Sequence, residues 1–248
     1  MAHFWRKWKH QWSDLWGERS FRISLFSGVA VLIIAYVVNY YATLYTNEIP
    51  VLSVGDLILD RIPTLDLSFS FTFGIYLVAL VMALYPILFR PELVPFTMKT
   101  IAAFILIRAG FISLTHLGAP ANYFQLPQFQ DQPGLFKIFY MNDLFFSGHT
   151  GFPFLGALLF WDNKIVRSFL LAMSGVQAIT VLFMHVHYSI DVFSAYFITY
   201  TIYIVSDRIF NNLNLGFKRI VVRIERRYEF LRKFSHLQIT RFKNRKKK

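Results

Sequence analysis

The sequence predicts an all-α fold: a polytopic membrane protein with six transmembrane helices, an N-terminal interfacial helix and a basic, amphipathic C-terminal tail. Three observations predict it. Of the 248 residues 55% are hydrophobic and only 16% charged. Apolar runs of spanning length recur between charges and prolines. Half of the basic residues, 13 of 26, lie at 211–248, opposed there by Glu225 and Glu229 alone, so residues 1–210 are nearly neutral although the formal net charge is +12. This composition excludes a disordered chain, a disulfide-stapled secreted domain and an ordinary soluble enzyme. The lack of cysteine removes thiolate metal sites, thiol nucleophiles and disulfides.

Residues 1–22 place Trp5, Trp8, Trp12 and Trp16 at three- and four-residue spacing beside Arg6, Lys7 and Lys9. That spacing puts the indoles on one helical face, as in an interfacial segment that anchors at headgroup depth or docks a partner. A bilayer core of about 30 Å needs about 20 mostly apolar residues per helix. Runs of this kind cover 23–46, 69–89, 97–117, 147–161, 165–186 and 189–210, the fourth being the shortest. The first is too long for the core of a cleavable signal and is read as a permanent span. Residues 23–210 are therefore expected to form one six-helix catalytic domain. In the tail, 211–248, Phe217, Ile220, Val221, Ile224, Tyr228 and Leu231 alternate with Arg ahead of a terminal Arg245, Lys246, Lys247 and Lys248. Such a tail either lies on anionic lipid, each cation contributing about 1 kcal/mol, or is solvated. No nucleic-acid-binding signature is present.

Lys and Arg near the span ends stay on the cytoplasmic side. They crowd the N-terminal segment, the second and fourth connections (Arg90, Lys99, Lys164, Arg167) and the C-terminal flank, whereas the other connections hold only Arg61 and Lys137. Both termini are expected in the cytoplasm. The segments 47–67 and 118–146 and the turn at His187 are expected to face lumen, periplasm or exterior.

Ionisable groups at membrane depth are costly unless paired or facing a wet cavity, so each is a site candidate. Three groups fall at the outer side: Asp143 with Ser147-Gly148-His149-Thr150; His185, His187, Tyr188 and Asp191; and Arg108 with Thr115 and His116. His187 and Asp191 are four apart, one turn on a helix, so the carboxylate can accept a ring N–H and leave the other ring nitrogen as nucleophile or base. His149 supplies a second proton carrier behind Ser147 and Gly148, where the main chain at a helix start can face an anion. Two helix starts on one face would add their dipoles on a phosphoryl group, and Arg108 would complete a charge clamp or pair with Asp56 or Asp60. His185 with His187 and Asp191 could instead ligate a metal, but no further cluster completes a first shell, and neither metal nor cofactor is expected. Asp143 reads equally as cap or acid.

These residues resemble the type 2 phosphatidic acid phosphatase superfamily, and most closely its sphingomyelin synthase branch. That branch shows Gly-Asp-x-x-x-SGHT and His-x-His-Tyr-Thr-x-Asp-Val; here the stretches read Asn142-Asp143-Leu-Phe-Phe-Ser147-Gly148-His149-Thr150 and His185-Val-His187-Tyr188-Ser189-Ile-Asp191-Val192. Residues 108–120 and 54–60 are similar to softer motifs of the same branch, and the resemblance spans roughly residues 50–205. The Lys-x6-Arg-Pro box of the lipid phosphatases is absent, and Thr180 and Val181 stand where those enzymes carry Ser-Arg. The resemblance implies that His187, oriented by Asp191, attacks a phospholipid headgroup phosphorus to give a phosphohistidine, with His149 as acid and then base. Arg108, Ser147, Gly148, Asp143, His185, Tyr188 and His116 are the expected substrate-binding residues. The implied partners are a phospholipid donor and a lipid alcohol acceptor such as ceramide or diacylglycerol, and a homo-oligomer stays open. Water as acceptor would make the protein a lipid phosphate phosphatase or phospholipase C-like hydrolase; a lipid carrier with a decayed site is the non-enzymatic reading.

Overall fold

The structure, a computed structural model, describes residues 2–48, 52–115, 117–124 and 144–210. Among them the protein is helical throughout, with α1 (Ala2–Gly17), α2 (Arg19–Glu48), α3 (Ser68–Phe89), α4 (Val94–Leu114), α5 (Gly148–Leu159), α6 (Lys164–Phe183) and α7 (Ser189–Phe210). The tail at 211–248, expected to be amphipathic, lies outside the described residues.

Among the described residues five helical stretches are long and apolar enough to cross a bilayer: Arg19–Thr46, Ser68–Phe89, Pro91–Leu114, Lys164–Phe183 and Ser189–Phe210. The expected fourth span, 147–161, forms α5, whose 12 residues reach about 18 Å at 1.5 Å per residue. It falls short of the length a full apolar crossing needs. Its start is set by the Ser147 cap, and its end by a turn through Asp162 and Asn163, the latter capping α6 by accepting the Ile165 and Val166 N–H groups. What α5 lacks in length it makes up in burial: Thr150, Gly151, Pro153 and the run Leu155–Leu159 are all buried. Gly151 permits this, since a Cβ there would lie 2.7 Å from Thr199 Oγ1 on α7.

Helix α5 packs on α6, and α2 packs along α4. The main core joins Val78 and Met82 of α3, Phe96 and Phe104 of α4, Leu155 of α5, Leu170 of α6 and Ala195 and Ile202 of α7. Burying such side chains removes water-exposed area, but in lipid the gain comes from close packing rather than from the hydrophobic effect. Helix α1 docks on the C-terminal end of α3, where the indole N–H groups of Trp8 and Trp12 both donate to the Ile87 carbonyl, at 2.9 and 3.1 Å. Trp5 and Trp16 remain exposed. The amphipathic N-terminal helix read from the sequence thus divides its indoles: two hold it to the bundle and two face outward.

Candidate active site

The turn 184–188 joins α6 to α7 and carries His185 and His187. His187 Nδ1 lies 3.2 Å from Asp191 Oδ2, and both side chains are buried. A carboxylate only accepts, so Nδ1 is the donor, and in the neutral ring Nε2 keeps the lone pair. The same Oδ2 also accepts the Tyr188 N–H at 3.1 Å. This is the pairing that the four-residue spacing predicts.

Ser147 caps α5 by accepting the Thr150 N–H, and its own N–H donates to the Asp191 carbonyl at 2.9 Å. Two motifs some forty residues apart in sequence are thereby tied by one main-chain bond. His149, in the first turn of α5, lies within electrostatic range of His187 and of Arg108. The Arg108 side chain rests on the same turn: a Cβ on Gly148 would sit 3.3 Å from its Nε. Among the described residues His149 Nε2 is buried and meets no hydrogen-bond partner, which suits a proton carrier whose partner is a substrate. The structure thus gathers Arg108, Ser147, Gly148, His149, His187 and Asp191.

The other expected site residues are placed differently. His185 takes a left-handed conformation, φ 52°, with Nδ1 3.1 Å from the Ala121 carbonyl. Tyr188 is buried, and its hydroxyl is engaged by the protein, accepting the Val54 N–H at 3.1 Å and donating to the Gly118 carbonyl at 2.8 Å. Asp143 and His116 lie outside the described residues. Of the two helix starts expected to face a phosphoryl group, that of α7 already holds an anion, because the Ser189 N–H donates to Asp56 Oδ2 at 2.7 Å. Asp56 therefore meets α7 rather than Arg108. Among the described residues no group of three or more His, Asp or Glu is arranged to hold a metal ion.

Phe71 escaped the sequence reading, and Asp56 entered it only as a possible partner of Arg108, not as a neighbour of the histidine turn. Phe71, at the start of α3, lies flat on the His149 ring. Asp56 stands in the loop after α2. An apolar residue at a helix start and an acid in a loop carry no periodic signal, and only a three-dimensional neighbour marks them out.

Residues 142–208 match the family PAP2 superfamily C-terminal, a stretch that includes both histidine motifs. The match supports membership of the type 2 phosphatidic acid phosphatase superfamily. No curated protein and no solved structure matches the chain. Together with the apolar helices, the superfamily assignment supports an integral membrane enzyme of lipid phosphatase or phosphotransferase type.

Proposed function

We propose that the protein is a lipid phosphotransferase similar to the sphingomyelin synthases, moving phosphocholine or phosphoethanolamine from a phospholipid to ceramide, diacylglycerol or a similar lipid alcohol. The observation that carries this reading is the 2.9 Å bond from the Ser147 N–H to the Asp191 carbonyl, because it holds a second imidazole beside the His187–Asp191 pair.

In this mechanism His187 Nε2 attacks phosphorus and the bond from phosphorus to the glyceride oxygen breaks, while His149 gives that oxygen its proton. Asp191 stabilises the cationic imidazole that results. The acceptor hydroxyl then attacks phosphorus, His149 takes its proton, and the phosphorus–nitrogen bond breaks to regenerate His187. Arg108 neutralises phosphate oxygens throughout.

We place the site on the lumenal, periplasmic or exterior side with both termini cytoplasmic, as the Lys and Arg distribution favours. Six crossings suit this reading. Helix α5 starts beside the start of α7, and α6 runs back to that same end, so α5 with the turn after it serves as a shortened crossing.

Water as the acceptor gives the second reading, a hydrolase, with which the superfamily match is equally compatible. The test uses protein in detergent, a headgroup-labelled phospholipid and a fluorescent ceramide or diacylglycerol. Label in a new lipid supports transfer. Label found only in the aqueous phase assigns the hydrolase, and no release of label sinks both.

A further inference from the structure

The loop between α2 and α3 takes no part in the steps above, yet it meets the catalytic segment at two consecutive residues. Tyr188 Oη accepts the Val54 N–H and donates to the Gly118 carbonyl. Gly118 N–H donates in turn to the Leu52 carbonyl at 3.0 Å, beside a parallel bridge between Leu52 and Leu117. One residue further along, the Ser189 N–H donates to Asp56 Oδ2 at 2.7 Å, while Asp56 Oδ1 accepts the N–H groups of Ile58 (2.9 Å) and Leu59 (3.1 Å). Asp56 is itself held, its N–H donating to Asp60 Oδ2 at 3.2 Å. Its side chain is buried.

Ser189 opens α7, and its N–H is one of the donors a helix cannot satisfy internally. A carboxylate is favoured there by the helix dipole. An ordinary cap comes from the neighbouring residue and merely stops fraying. This one comes from 133 residues away, so it fixes where the helix start sits relative to the loop. His187 lies two residues before Ser189 and Asp191 two residues after it. Any pivot of that turn would carry the imidazole and its carboxylate together, away from His149. On the far side the turn is held by the Ser147 bond to the Asp191 carbonyl; on the near side it is held by Asp56.

We propose that Asp56 is a positioning residue for the His187–Asp191 pair: by holding the Ser189 N–H, its carboxylate binds the first turn of α7 to the outer loop and fixes the direction in which His187 Nε2 points. The proposal rests on His187 as the nucleophile. Asp56 acts through α7 and touches no substrate, so its loss changes the rate at phosphorus and leaves lipid binding intact.

The test uses the full chain in lipid nanodiscs. Asp56→Ala and Ser189→Pro both remove the bond from the Ser189 N–H to Asp56, since proline lacks the N–H and is tolerated at the first helical position; the first also frees the Ile58 and Leu59 N–H groups, and the second also removes the Ser189 hydroxyl from Asp56. Each variant is expected to lower kcat by about tenfold or more, as small misplacements of a reacting group do. KM should stay within about twofold. Because both delete the same interaction, the double variant should be no worse than the weaker single, and Asp56→Asn, which keeps one acceptor oxygen, should recover part of the rate. Multiplying losses in the double variant, or wild-type kcat in Asp56→Ala, would overturn the proposal. If Asp56→Ala does not fold, Ser189→Pro and Asp56→Asn make the same comparison.

Ring ¹⁵N resonances supply a readout that needs no turnover. His187, assigned by its loss in His187→Ala, should show one neutral tautomer protonated on Nδ1, shifted or split in Asp56→Ala while His10 is unchanged. An unchanged His187 signal overturns the positioning role. Wild-type protein that turns over no phospholipid would sink the proposed reaction instead, and the resonance would still decide the role of Asp56.

Discussion

The ring of Phe71 lies on the imidazole of His149, with centroids 3.9 Å apart and planes 23° from parallel. Phe71 itself is held from α6, because the carbonyl of its neighbour Ser70 accepts from Gln177 Nε2 at 2.8 Å and the Ser70 and Thr180 hydroxyls bond each other at 2.9 Å. Helices α3 and α6 thus act on a catalytic candidate that belongs to α5. The phenyl face excludes water from one side of the imidazole and limits its rotation, and such aromatic pairs are worth about 0.5–1.5 kcal/mol beyond their buried area.

Replacing Phe71 with Leu keeps most of the apolar volume and removes the flat face. The Phe71→Leu protein is expected to fold and to lose about tenfold in kcat with little change in KM. Phe71→Ala should in addition lower stability by about 3–5 kcal/mol. Steady-state kinetics beside a thermal melt separates the two effects; full kcat in the leucine variant would reduce the ring to a space filler.

Asp191 Oδ2 receives N–H groups from His187 and from Tyr188 together. Asp191→Asn can still offer one oxygen but no charge, so the imidazolium formed on phosphoryl transfer loses its counter-ion. Turnover should fall by roughly 10³-fold or more, and His149→Ala and His187→Ala should be inactive, all three with wild-type helical content by circular dichroism. Substantial activity in His187→Ala would remove the nucleophile assigned above.

Acid should loosen the outer loop. Burial raises the Asp56 pKa, but the N–H groups of Leu59, Ser189 and Ile58 and the Ser189 hydroxyl together outweigh it, leaving the carboxyl below its usual value of 3.8. A carboxyl held lower in the folded state stabilises the fold above its unfolded pKa, and that contribution is lost as pH falls through the folded one. The melting temperature of the wild type should therefore decline more steeply below about pH 4 than that of Asp56→Asn. Asp66, lowered by Ser68, is common to both proteins, so the difference between the curves isolates Asp56. Parallel curves would contradict this.

Gly74 lets α6 approach α3, since a Cβ at that position would run into the Gln177 amide that holds Ser70. Gly74→Ala should destabilise the bundle by about 1–3 kcal/mol, the usual result of overpacking. It should also lower activity by displacing Phe71. A melting temperature at or above that of the wild type would show that Gln177 swings aside at little cost.

Trp8→Phe and Trp12→Phe each delete one indole donor to Ile87. Each should cost about 1 kcal/mol, the usual net worth of a hydrogen bond. The double variant should free α1 for proteolysis while catalytic activity persists, because α1 sits at the end of α3 opposite Phe71. Protease resistance in the double variant would mean that ring packing, such as Phe4 on Phe89, holds α1 unaided.

Length, composition and hydrophobic runs were enough to read an all-helical membrane protein and the rough limits of α2, α3, α4, α6 and α7, since a span is a local property of consecutive residues. The His187–Asp191 pair was legible for the same reason: one helical turn joins them. That the run at 147–161 is the shortest was legible too, but the 12-residue limits of α5 were not, because they depend on a cap at Ser147 and a turn at Asp162, and its apolar run looks the same whether lipid or protein surrounds it. Only the tertiary structure brought Phe71 to His149, Asp56 to Ser189 and Trp8 to Ile87. Those partners are separated by 78, 133 and 79 residues, and no spacing rule connects residues whose proximity is created by helices packing side by side.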